Sequence, residues 1–157
     1  MKYDEFIAAV QERAGGIPRE EAEKATWATL EVLADRITAG EANDLAAQLP
    51  KALKEALRPH KPEAEPFGLK EFVDRVAQRL GETPVPPKQL VRAVLTTVRE
   101  GVTGGEFEDV MQQLPDEFWE VVEPTSWRGG PLPEDVRRRT GATRAASPQS
   151  GQPPPPA

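Results

Sequence analysis

The chain has 157 residues, a formal net charge of −6, no cysteine and one histidine. The missing cysteine excludes disulfides, thiolate metal sites and cysteine nucleophiles, and the lone His60 excludes multi-histidine metal sites. Residues 1–124 carry 15 Lys and Arg against 24 Asp and Glu, a net of −9, while Arg128, Arg137, Arg138, Arg139 and Arg144 against Glu134 and Asp135 make the rest +3; a body this acidic repels phosphate backbones, so no nucleic-acid partner is expected.

The first predicted helix runs from about Asp4 to Ala14. Tyr3, Phe6, Ile7, Val10 and Ala14 recur at spacings of three and four, which places them on one helical face. Gly15 follows, suited to the left-handed conformation that ends a helix. Pro18 opens a second helix over about 19–37, where proline in a first turn loses no needed hydrogen bond; Leu30, Leu33 and Ile37 make its apolar face. Thr38-x-x-Glu41 reads as a capping box, in which the Thr hydroxyl accepts from the N3 amide and the Glu carboxylate reaches back to the amide of the cap. The third helix it opens buries Leu45, Ala46 and Leu49. It stops at Gln48-Leu49-Pro50, because proline disfavours helical geometry in the residue before it. A short fourth helix carries Leu53, Ala56 and Leu57. A linker over 58–67 with Pro59, Pro62 and Pro66 comes next.

The second half restates the first. Residues 3–14 align with 69–80 at an offset of 66, matching Glu5/Glu71, Phe6/Phe72, Val10/Val76 and Arg13/Arg79, with Gly15/Gly81 beyond them. After one deletion in the following loop the offset is 65. It then matches Ala28/Ala93, Leu30/Leu95, Thr38/Thr103, Gly40/Gly105, Glu41/Glu106, Asp44/Asp109, Gln48/Gln113, Leu49/Leu114, Pro50/Pro115 and Glu55/Glu120. The identities include caps and breakers as well as apolar positions, which marks a true internal repeat. The predicted second helix of this half spans 87–102. Thr103-x-x-Glu106 is its second capping box, and Phe118, Trp119 and Val122 belong to its fourth helix.

The expected fold is all-α: two pseudo-symmetric four-helix repeats, residues 1–57 and 68–124, packed into one helical bundle about a pseudo-two-fold axis. About sixty residues of short helices are marginal as an independent core, so the halves are expected to share one. Residues 125–157, with Gly129-Gly130-Pro131, three successive arginines and the Pro153–Pro156 run, are expected to form a disordered tail that touches the acidic body weakly through Trp127 and Leu132.

The repeated Thr-x-Gly-Glu, then Asp, then Gln-Leu-Pro, with Tyr3-Asp4-Glu5-Phe6 near the start and Leu114-Pro115-Asp116-Glu117-Phe118 near the end, resembles a bacterial domain-of-unknown-function family, number 2267. The resemblance covers about residues 1–124. It implies a small, all-helical, cytoplasmic protein, and brings no activity, cofactor or catalytic residue with it.

Little catalytic chemistry can be written. Serine occurs only at Ser126, Ser147 and Ser150, so a Ser-His-Asp triad inside the body is excluded. Gly104-Gly105 follows a helix and lacks a Lys-Ser/Thr companion, which rules out a phosphate loop. No catalytic residue, cofactor or metal is expected. Thr38, Glu41, Thr103 and Glu106 are read as structural caps, with Asp44 and Asp109 as first-turn acids favoured by the helix dipole. The alternative for Asp44 and Asp109 is a cation site shared with neighbouring glutamates. Trp27 and Trp127 are the candidate contacts for a partner. The expected function is a non-enzymatic protein-interaction or scaffolding module acting on a protein partner or a second copy of itself. The rival is a small-ligand or cation-binding protein, or a carboxylate enzyme, using a cleft between the repeats. With no apolar leader and no stretch of about 18 apolar residues, a cytoplasmic location away from membranes is expected.

Overall fold

A computed structural model describes residues 1–122 of the chain. The calls on residues 125–157, Trp127 among them, lie outside the described residues. Within 1–122 the elements are α1 (Tyr3–Arg13), α2 (Arg19–Arg36), α3 (Ala39–Gln48), a 3-10 segment (Lys51–Leu57), α4 (Leu69–Leu80), α5 (Pro87–Gly101), α6 (Gly104–Gln112) and a second 3-10 segment (Asp116–Glu120). The described residues are all helical, as expected. The fourth helix of each half is 3-10 rather than α. Pro50 and Pro115 stand as their caps, and short connecting pieces of this kind are where 3-10 winding is common.

Contacts run between the two halves in both directions. α1 packs on α5 and α4 packs on α2, while α2 meets α5 and α3 meets α6. The core therefore runs through both halves. Phe6, Phe72 and Phe118 are fully buried within it, and the Phe72 and Phe118 rings meet edge-on at 5.3 Å.

α2 and α5 are the central helices. Ala22, Ala25, Thr26, Ala28, Thr29, Leu30, Val32, Leu33 and Ala34 are all buried on α2, so the burial reaches far beyond the Leu30–Leu33–Ile37 stripe read from the sequence. Small side chains let neighbouring helices approach from several sides. Two of the threonines buried in these helices hide their hydroxyls by bonding back one turn, Thr26 to the carbonyl of Ala22 and Thr97 to that of Ala93, both at 2.8 Å.

Arginines tie the halves at equivalent places. Arg13 on α1 reaches Glu100 on α5 at 3.1 Å and donates to Thr97 Oγ1 at 3.0 Å. Its repeat counterpart Arg79 on α4 lies 3.7 Å from Asp35 and 3.4 Å from Glu31 on α2. Gly15 (φ +98°) and Gly81 (φ +72°) both take the left-handed region where the first helix of each half ends.

The proline-marked connection between the halves is pinned down. The Glu65 amide donates to the Asp35 carbonyl at 2.8 Å, and the Ala39 amide to the Pro62 carbonyl at 3.1 Å. Phe67 is buried, with the Arg75 guanidinium 3.9 Å from its ring centre. Lys61 and then Arg75 bond Glu65 and hold its carboxyl below its usual range. His60 stands exposed in this segment.

Candidate functional site

The N-termini of α3 and α6 carry the repeated motif. Thr38 and Thr103 are both extended cap residues, and their hydroxyls accept from the amides of Glu41 (3.3 Å) and Glu106 (3.1 Å). Half of each expected capping box is thus in place. The other half is not. The backbone amide of Thr38 donates to Gln113 Oε1 at 2.8 Å, and that of Thr103 to Gln48 Oε1, also at 2.8 Å. Gln113 Nε2 further donates to Thr38 Oγ1 at 3.3 Å. Each glutamine therefore completes the helix start of the opposite half. Glu41 and Glu106, expected to bond back to their own caps, find those amides already taken.

Freed from that role, the two glutamates meet at the α3–α6 seam. One carboxylate oxygen from each of Glu41, Glu106 and Asp109 lies within 4.8 Å of the others. Glu106 is 8% exposed, Glu41 is half-buried, and Asp109 and Asp44 are exposed. Oε2 of Glu41 and Oε2 of Glu106 are both buried, and no donor outside the acid group reaches either of them. The group has a dry floor, Glu106, and a wet mouth, Asp109 with Asp44 close by.

The buried member of the group resists ionisation. Burial, above all, pushes the Glu106 carboxyl up to about 8; the hydrogen bond to Glu41 and the charges of Glu41, Asp44 and Asp109 push the same way. The two helix N-termini favour negative charge, but desolvation and mutual repulsion outweigh them here.

The remaining sequence candidates fall elsewhere. Trp27 is half-buried, packed against the core, and its indole hydrogen-bonds Tyr3. Tyr3 in turn donates to Glu23 Oε2 at 2.7 Å. Among the described residues, Met1 is the one large hydrophobic side chain classed as exposed, at 44%. No helix among them is long and apolar enough to cross a membrane.

Sequence reading missed the exchange of Gln48 and Gln113, and with it the meeting of Glu41 and Glu106. The signal was present in the repeat: Gln48/Gln113 and Glu41/Glu106 share one offset. Local capping rules, however, assign a partner within three residues and never one in the other half.

Residues 3–121 match the family described as uncharacterized conserved protein, DUF2267. No curated protein matches the chain.

Proposed function

The chain belongs to the DUF2267 family, and we propose that it is a non-enzymatic binding protein whose receptor for a small cationic ligand is the carboxylate group at the α3–α6 seam. The observation that carries this reading is Glu106. It is more than nine-tenths buried, has one oxygen that no donor outside the acid group reaches, and stands against two further acids drawn from both halves of the chain. Burying an ionised carboxylate costs several kcal/mol unless positive charge comes with it. A cationic ligand supplies that charge.

Two other facts support it. The described residues contain no serine or cysteine nucleophile, and His60 stands in the exposed connection, which leaves the acids without the usual catalytic companions. The scaffolding reading needs an exposed apolar face, and the near-complete burial of large apolar side chains gives it little support. The acidic body also disfavours nucleic acid.

Amide chemical-shift mapping tests the proposal. On titrating the full chain with a panel of small cations, both divalent metals and linear polyamines, saturable shifts should centre on residues 38–45 and 103–110. Shifts that merely track ionic strength across the whole surface would overturn it.

A further inference from the structure

Resting on that reading, we propose that the ligand is a hard divalent metal cation of calcium size, bound by Glu41, Glu106 and Asp109 with Asp44 at the mouth. The donor set is oxygen only, which suits calcium, magnesium or manganese and disfavours the softer metals that select thiolate or imidazole. The chain has no cysteine at all, and its one histidine is in the connection between the halves, so no softer ligand competes.

Ligand number and rigidity separate the hard cations. Oxygens on opposite sides of a calcium ion, each at about 2.3–2.6 Å, stand about 4.6–5.2 Å apart. The three carboxylate oxygens lie within 4.8 Å of one another, inside that reach. Magnesium demands near-octahedral placement and gives up water reluctantly, so it usually binds through one or two carboxylates. Here three acids of unequal burial come from two helices, which fits the looser and larger shell of calcium. The exposed mouth leaves room for water to fill the remaining positions.

The cluster alone would not carry this. Acids at helix starts are common without any ion, and the helix dipole explains them. The independent observation is the buried floor: Glu106 is more than nine-tenths buried, and no donor outside the acid group reaches its Oε2 or the buried Oε2 of Glu41. Buried oxygens left to other acids are costly, and a cation offsets that cost.

The composite nature of the site has a consequence. Glu41 belongs to the first half, and Glu106 and Asp109 to the second, so neither half alone assembles the three-acid set. A bound cation bridges α3 and α6 as an added link across the seam.

Titration calorimetry on the chelator-treated full chain tests the assignment, using calcium chloride, magnesium chloride, manganese chloride and spermidine as probes. The expected result is one-to-one calcium binding with a Kd on the order of 10⁻⁵–10⁻³ M, at least tenfold weaker for magnesium. Asp109→Asn, at an exposed position that spares the core, should weaken calcium at least tenfold with an unchanged far-UV spectrum. Glu63→Gln, an exposed acid in the connection between the halves, should leave the affinity unaltered. Spermidine binding at the seam without any metal binding would overturn the metal assignment while sparing the broader reading. No binding of either probe would overturn both, and would leave the glutamates as a proton-sharing pair. Equal loss in Asp109→Asn and Glu63→Gln would also overturn the site, because it would reduce binding to diffuse surface charge.

Discussion

The two halves of this protein meet along interfaces that handle charge in opposite ways. Where α1 lies on α5 and α4 on α2, each carboxylate has an arginine: Arg13 against Glu100, Arg79 against Asp35 and Glu31. Where α3 lies on α6, carboxylate faces carboxylate. The first interface is electrically complete within the chain. In the second, burial and the neighbouring acids raise the Glu106 carboxyl instead. A duplicated sequence produces both, because pairing a motif with its own copy brings like charges together, while pairing it with a different helix allows opposites.

The apolar packing that both interfaces share sets the scale for breaking them. Phe72→Ala removes a fully buried ring stacked on Phe118 and Phe67, and should cost about 3–5 kcal/mol in denaturant unfolding. A loss below about 1 kcal/mol would mean that the common core is not where the halves are joined.

The seam should announce itself through pH. The Glu106 carboxyl is raised in the folded state to about 8, while in the unfolded chain it titrates near its ordinary value. Between these values the folded state holds a proton that the unfolded state has released. Stability is therefore fully present below the unfolded value, declines as pH rises towards about 8, and is flat beyond. The slope is at most about 1.4 kcal/mol per pH unit. Glu106→Gln should flatten this decline in metal-free buffer, whereas Arg79→Met at the charge-complete interface should leave it unaltered. A wild-type profile that rises with pH over this window would contradict the assignment.

Finer resolution comes from the caps. Thr38→Ala and Thr103→Ala should each lower stability by about 0.5–2 kcal/mol, since each removes the acceptor for one helix-start amide. Unchanged urea midpoints in both would show that the glutamine exchange suffices alone. The smallest effect belongs to Arg79→Met, expected to cost at most about 1 kcal/mol, because its partners stand partly in solvent. That cost should shrink as salt is raised, which thermal melts at low and high ionic strength would register.

Much of this architecture is readable from the sequence. Phe6, Val10, Phe72 and Val76 announce their buried faces by spacing, Gly15 and Gly81 mark the ends of the first helices, and the threonine half of each cap is legible at Thr38 and Thr103. Three features are not. The all-round burial of α2 rests on alanine and threonine, whose small or polar side chains give almost no hydrophobic signal. The 3-10 winding of Lys51–Leu57 leaves no mark in the apolar spacing that would tell it from a short α-helix. The acid pair at the seam depends on where two distant motifs land, and the reading of Glu41 and Glu106 as cap partners failed because Gln113 and Gln48 arrive first at the amides in question.

That glutamine exchange also bears on how the chain reaches its fold. The Thr38 amide waits for a side chain 75 residues later, and the Thr103 amide for one 55 residues earlier. On the ribosome, where domains tend to fold as units in the order they emerge, the first half comes out with α3 begun but its starting amide still bonded to water. It stays in that condition until nearly all of the second half has been made. The halves then mature together, and the first half is finished only once Gln113 has emerged.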